Sequence, residues 1–75
     1  MTPEQCRAAR ALLGWSQKTL AAKAGVSATT IRNFEQGTRE MMAANSQAIV
    51  RVLNEAGVDL IPGGVRRSVH PKHGA

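Results

Sequence analysis

A chain of 75 residues makes one domain at most, and it buries only about 60% of its unfolded surface, so contact with a partner chain would support it. The net charge of +5 and a pI near 10.8 favour a nucleic-acid partner, although many small proteins are basic without one. The single cysteine excludes an internal disulfide. No apolar run approaches the ~20 residues that span a bilayer, and no signal-peptide pattern is present. We therefore expect a soluble cytoplasmic protein without membrane contact.

The amino-terminal segment predicts a first helix that ends at Gly14. Residues 2–5, Thr-Pro-Glu-Gln, have the pattern of a capping box with proline at the first helical position. Arg10 lies on the inner side of this helix, which is unusual for a guanidinium group. It shares that side with apolar side chains at helical spacing, namely Cys6, Ala9 and Leu13.

The next segment predicts a second helix that ends in a tight turn. Ser16 is a capping residue for this helix. Gly25 supplies a left-handed residue that reverses the chain, and Val26 fills the turn. Ser27 then caps another helix. The inner face of the second helix carries Leu20, Ala21 and Ala24.

A third helix is predicted to run from residue 28 to about residue 36. Ile31 and Phe34 point inward, and Glu35 lies at the flank of the inner face. Two capped helices joined by a glycine turn, the second with a polar outer face, are typical of a helix-turn-helix, which presents its second helix to the DNA major groove. That outer face carries Ala28, Thr29, Arg32, Asn33 and Gln36.

Beyond a loop at residues 38–43, the pattern predicts a fourth helix that runs to Ala56 and then a β-structure. Two short, partly β-branched runs, 58–61 and 65–69, are separated by Pro-Gly-Gly and predict a strand pair or one broken strand. An isolated hairpin is marginal in water, so this segment must pack on the fourth helix or pair with another chain. We therefore expect a dimer or partner surface formed by Val58, Leu60, Ile61 and Val65.

The chain thus divides into a helix-turn-helix domain at 1–57, a β-extension at 58–69 and a tail at 70–75 that we expect to be disordered. His70 and His73 lack further ligands and make only a weak metal site. The sequence contains no phosphate-binding glycine loop and no paired carboxylates, and Cys6 has no companion histidine. We expect neither an enzyme nor a bound metal, cofactor or small molecule.

One long motif is specific enough to indicate a family. From Arg10 to Arg39 the residues follow R-x-L-L-G-W-S-Q-x-x-L-A-x-x-A-G-V-S-x-x-T-I-x-x-F-E-x-G-x-R. This pattern closely resembles the Cro/repressor-type (XRE) helix-turn-helix family. Residues 53–61 resemble the ending of its small single-domain bacterial members. The resemblance implies a mainly α, lambda-repressor-like DNA-binding fold of four to five helices with a short C-terminal β strand or hairpin.

The resemblance also implies roles for individual residues. Gln17 matches a glutamine that contacts phosphate at the first turn of the second helix. Arg10 and Glu35 match a partly buried ion pair that joins the first and third helices, in agreement with their inward-leaning positions. The third helix matches the recognition helix. The other DNA-binding candidates are Lys18, which provides positive charge, and Gln36, which lies on the outer face of the third helix. Thr38 and Arg39 follow that helix, where a loop can reach a flanking phosphate.

The base-reading set of the third helix is sparse. Glutamines common at its first two positions are replaced by Ala28 and Thr29, which offer a methyl group, for example to thymine, and a hydroxyl with a methyl. Direct readout would then depend on Asn33, for adenine, and on Arg32, for guanine or phosphate.

Two functions follow from these features. The leading hypothesis is a bacterial or phage transcriptional regulator that binds duplex DNA as a homodimer, with half-sites about one turn apart. The alternative is a protein-interaction module on the same fold, such as an antiactivator or an antitoxin, favoured by the near-neutral recognition helix. Detection of a co-purifying partner without DNA retardation would separate the two.

Overall fold

The computed structural model describes residues 1–68, in which four helices are followed by a β-hairpin. This confirms the mainly α fold with a C-terminal hairpin. The predicted tail at 70–75, and Val69 at the end of the predicted β-extension, lie outside the described residues. The elements are α1 (Pro3–Leu13), α2 (Gln17–Ala24), α3 (Ala28–Gln36), α4 (Ala43–Glu55), β1 (Val58–Ile61) and β2 (Gly64–Arg67).

Local capping interactions set the ends of the first three helices. Thr2 and Gln5 form the predicted capping box, in which the Gln5 amide N–H donates to Thr2 Oγ1 at 3.1 Å and the Thr2 amide N–H donates to Gln5 Oε1 at 2.8 Å. Ser16 and Ser27 each accept an N–H bond of 3.0 Å from the residue three positions on. Gly25 ends α2 with φ +71°, a left-handed conformation that side chains with a Cβ adopt only with strain.

The core is aliphatic and draws residues from every helix and from β1. Glu35 is the exception, a charged residue that is only 4% exposed at the margin of this apolar cluster. Leu13 is half-buried and packs against the cluster from outside. The buried apolar residues are Cys6, Ala9, Leu20, Ala21, Ile31, Ile49, Leu53 and Val58.

The hairpin packs on α1 and α4 of the same chain. Its strands are antiparallel, with Leu60 opposite Val65. Gln5 of the α1 capping box donates its side-chain N–H to the carbonyl oxygens of Ile61, at 2.7 Å, and Gly64, at 3.2 Å. Arg67 also bonds to a carbonyl at the end of α1. These bonds hold the hairpin against α1 without help from a second chain.

This packing corrects one prediction. Val58 was expected on a dimer or partner surface, but its side chain is completely buried in the core of its own chain and is not available to another protein. The hairpin turns its first residue inward because β1 follows α4 after only a short turn and lies against it. Leu60, Ile61 and Val65 are half-buried and keep some exposed surface.

α4 is the one helix of residues 1–68 without a side-chain cap. Its N-cap residue is Met42, which makes no capping hydrogen bond, whereas Thr2, Ser16 and Ser27 cap the other three helices.

We predict that Met42→Ser raises the free energy of unfolding by about 1 kcal/mol, because a serine hydroxyl would accept one of the unpaired N–H groups of the first turn. Urea denaturation followed by circular dichroism measures the change. Met42→Ala is the control and should give no such gain, and a serine variant no more stable than the alanine variant would contradict the prediction.

Candidate nucleic-acid interface

The α2–turn–α3 unit holds α3 at a set angle and presents its outer face to solvent. The Val26 amide N–H donates to the carbonyl of Ala21 at 3.1 Å, and the Val26 side chain packs against the core. Buried Leu20 and Ile31 fix the two helices to that core. This arrangement leaves most of the polar side of α3 on the surface.

The predicted base-reading residues differ in their exposure. Thr29, Arg32 and Gln36 are exposed, and Asn33 is half-buried. Ala28 is also half-buried and packs against the core cluster, so less of its methyl group is open to a partner than its place on the helix predicts. Thr38 bonds back to the end of α3, donating both its amide N–H and its hydroxyl to the carbonyl of Asn33 at 3.0 Å.

The Arg10–Glu35 ion pair predicted from the sequence is present, with two parallel hydrogen bonds. Arg10 Nε donates to Glu35 Oε2 at 2.8 Å, and Arg10 Nη2 donates to Oε1 at 2.7 Å. The Glu35 side chain is 3% exposed and that of Arg10 is 19% exposed. The pair therefore joins α1 to the buried side of α3.

Further bonds make Glu35 the junction of three helices. Gln17 Nε2, at the start of α2, donates to Glu35 Oε1 at 3.0 Å. Arg10 Nη1 donates to the carbonyl of Trp15 at 3.1 Å, in the connection that leads into α2. Arg7 Nη1 donates to the backbone carbonyl of Glu35 near the end of α3. The starting position of α2 and the position of α3 are thus coupled through one carboxylate.

The protonation states at this junction follow from burial and hydrogen bonding. Burial alone would raise the pKa of Glu35, but hydrogen bonds from Arg10, the Cys6 thiol and Gln17 outweigh it, so the pKa lies below its ordinary value. Hydrogen bonding to Glu35 raises the pKa of Arg10. Burial, with Glu35 beside it, raises the pKa of Cys6 to about 12. At neutral pH the site therefore holds a carboxylate, a guanidinium and a neutral thiol, which is a poor nucleophile.

The surface around α3 is suited to phosphate. Lys18, Arg32 and Arg39 are exposed cations on α2, α3 and the following loop, with Glu40 as an exposed acidic neighbour. Neither α2 nor α3 has an acidic residue in its own first turn, so no carboxylate of that turn neutralises the positive end of either helix dipole. Because Glu35 is paired with Arg10, it adds no net negative charge here.

Comparison with known protein families agrees with this geometry. Residues 7–60 match the family model described as helix-turn-helix, of the Cro/repressor (XRE) type. The chain belongs to this helix-turn-helix family. No curated protein matches the chain.

The helix-turn-helix family is a family of DNA-binding transcription regulators and is not a typical enzyme family, so the chain is a DNA-binding regulator. Within residues 1–68, no three side chains of His, Cys, Asp or Glu are grouped to hold a metal ion. His70 and His73 lie outside that range. In the same described part of the chain, no helix has the length and apolar character needed to cross a membrane.

The structure adds two features of this helix-turn-helix that the sequence interpretation missed. Arg7 holds the end of α3, and its position one turn before Arg10 on the same helix could have indicated this. A cleft of about 310 Å³ also lies between α3, the following loop and the start of α4. It could not be found from local pattern, because it depends on where the loop places Met41 and Met42 relative to α3.

Proposed function

We propose that this chain is a sequence-specific transcriptional regulator that places α3 in the major groove of duplex DNA and binds as a homodimer. The observation that supports this best is the exposed polar face of α3, carried by an α2–turn–α3 unit of the helix-turn-helix family. A role on chromosomal or phage DNA also agrees with the cytoplasmic location expected from the sequence.

Base reading in this proposal rests on two side chains of α3. Asn33 can pair with the N6 and N7 positions of adenine, and Arg32 can pair with guanine or contact a phosphate. Thr29 adds a hydroxyl and a methyl contact, and the half-buried Ala28 adds part of a methyl group. Phosphates flanking these bases would be contacted from the end of α3 and the loop after it, by Gln36, Thr38 and Arg39.

Gln17 can serve the fold and the DNA together. Its side-chain amide has two N–H groups, and one bond, to Glu35, accounts for one of them. The second N–H and the backbone N–H groups of the first turn of α2 can bind one phosphate, with Lys18 adding positive charge nearby. Because Gln17 and Arg10 both bond to the Glu35 carboxylate on α3, a phosphate bound by Gln17 would have a set position relative to α3.

Quantitative gel-shift measurements across a salt series test the proposal. The probes are a duplex from the chain's own promoter region and a shuffled duplex of equal length and composition. We expect tighter binding to the promoter duplex at every salt concentration. Equal affinity for both duplexes would exclude sequence-specific regulation.

The same assay tests the phosphate contacts. We predict that Lys18→Gln reduces the slope of log affinity against log salt by about 1, because one fewer counterion is released. Lys23→Gln removes the same charge from the other end of α2, where the ammonium group lies 5.0 Å from the centre of the Trp15 ring, and should leave the slope nearly unchanged. Equal slopes for Lys18→Gln and the unmodified chain would remove Lys18 from the interface.

The homodimer proposal rests on the hairpin. Leu60 and Ile61 are apolar and only half-buried, and the two-stranded sheet has strand edges that a second copy could extend. A two-fold dimer would bind half-sites about one helical turn apart. Sedimentation velocity should show a dimer that Leu60→Glu converts to a monomer. A chain that is monomeric both alone and on its DNA would contradict the homodimer.

A protein-interaction role remains the second candidate, and the partly buried Ala28 favours it because the recognition helix has few base-reading groups. An antiactivator or antitoxin would bind a partner protein in place of DNA, or in addition to it. A stoichiometric complex with one partner protein, together with no DNA retardation at low salt, would favour this role.

A further inference from the structure

The cleft beside α3 has one wall that belongs to the recognition helix. Thr29 and Asn33 of α3 line it on one side, and Met42 and Asn45 line it at the start of α4. Thr29 and Asn33 were assigned above to bases, and Arg39, which also lines the cleft, to a flanking phosphate. A duplex read by Thr29 and Asn33 brings base edges to the mouth of this cleft.

Met42 is exposed in a way that is unusual for the described part of the chain. The residue is 73% exposed, and within residues 1–68 no other large apolar residue is exposed. Its neighbour Met41 is half-buried and packs against the core, so the two methionines have different environments. An unbranched thioether side chain adapts its shape easily to an apolar partner.

We propose that Met42 is a specificity-determining residue that contacts the C5-methyl group of a thymine next to the bases read by α3. This inference rests on the proposed DNA-binding function. The thymine methyl is the apolar group on the base edges of the major groove, so it is the feature of DNA that an exposed methionine can recognise. The contact adds apolar recognition of thymine, which Ala28 provides only in part because it is half-buried against the core.

The charges of the cleft favour a base edge over a phosphate as the partner of Met42. Arg39 and Glu40 both line the cleft, so its rim carries one charge of each sign and no excess positive charge. Arg39 can reach a phosphate at the side, and Glu40 disfavours a second phosphate inside the cleft. A neutral methyl group beside Met42 avoids this repulsion.

Substitution of thymine by deoxyuridine removes only the C5-methyl group and tests the contact directly. The probe is the tightest-binding duplex selected by the unmodified chain from a random library, with each thymine replaced singly by deoxyuridine. Thymines contacted by Ala28 or Thr29 are also sensitive to this change. At one further thymine in each half-site we expect about a four-fold loss of affinity, the value of one methyl group removed from water.

Variants at Met42 assign that loss to its side chain. Met42→Ser should abolish the deoxyuridine effect at that further thymine, and urea denaturation of the same variant must show that it is folded. Met42→Leu should retain most of the effect because it stays apolar. Met41→Leu, a change at the packed neighbour, is the matched control and should retain it fully.

The outcomes separate this inference from the proposed function. A chain that selects no duplex contradicts sequence-specific DNA binding itself. A selected duplex with no sensitive thymine, or equal deoxyuridine losses in the unmodified chain and Met42→Ser, overturns the role of Met42 alone. A change of oligomeric state in Met42→Ser, without a change in thymine sensitivity, would assign Met42 to a protein contact and also overturn it.

Discussion

Replacing Arg10 with methionine is expected to lower the free energy of unfolding by about 3–5 kcal/mol. The substitution keeps an unbranched apolar stem but removes the guanidinium group and with it both hydrogen bonds to Glu35, whose side chain is 3% exposed. A carboxylate would then remain buried with only Gln17 and Cys6 as side-chain partners. Urea denaturation of the two proteins, followed by circular dichroism at neutral pH, measures the difference.

Two further variants separate the ion pair from general loss of packing. Arg7→Met removes a guanidinium from the same helix, but its side chain is 47% exposed and its bond goes to a backbone carbonyl, so we expect a loss of only about 1 kcal/mol. The double variant Arg10→Met with Glu35→Leu should recover much of the stability, since no buried charge remains. A double variant as unstable as Arg10→Met alone would show that the buried charge is not the cause.

The pH dependence of this loss gives an independent check. In the folded chain the pKa of Glu35 is below its ordinary value of 4.5, so the pair stabilises the fold above that value and loses its effect as pH falls through the folded pKa. Without Arg10, burial dominates and raises the pKa of Glu35. Acidification then protonates Glu35, removes the buried charge and reduces the destabilisation of the variant. The difference in stability between Arg10→Met and the unmodified chain should therefore shrink at acid pH. If the difference in the free energy of unfolding does not change with pH, the buried Glu35 carboxylate is not the cause of the instability of Arg10→Met.

The elements that could be predicted from the sequence are those determined by neighbouring residues. Ser16, Ser27 and Gly25 act within one helical turn of their own positions, so their pattern alone located α2, the turn and α3. The Arg10–Glu35 pair was also predictable, because both residues lie toward the inner faces of amphipathic helices and carry opposite charges.

Features that depend on long-range packing could not be predicted in this way. Val58 is buried because the hairpin folds back on α1 and α4, and Gln5 fixes it there through bonds that cross 56 and 59 residues of chain. The bond from Gln17 to Glu35 could not be predicted either. A glutamine at the first turn of a helix has the same sequence pattern whether or not its side chain bonds to a distant carboxylate. The cleft at Met42 depends on a loop path that local pattern does not determine.

Replacing Asn33 with alanine is expected to remove base preference at one position of each half-site while leaving binding to shuffled DNA nearly unchanged. Asn33 lies on the outer side of α3, and a bidentate pair between an asparagine and adenine contributes about 1–3 kcal/mol of discrimination. That range equals roughly 5- to 150-fold in the affinity ratio between the selected duplex and one with the adenine replaced. Fluorescence anisotropy with both duplexes measures this ratio.

The comparison with Gln17→Ala makes this prediction specific. Gln17 is expected to contact phosphate, so its loss should weaken all duplexes alike and leave the affinity ratio unchanged. Because Gln17 also bonds to Glu35, thermal denaturation of Gln17→Ala must show that the chain is still folded at the assay temperature. Asn54→Ala, the same change near the end of α4, is the matched control and should alter neither quantity. If Asn33→Ala keeps the full affinity ratio, base reading at that position does not come from Asn33, and Arg32 becomes the side chain of α3 on which specificity depends.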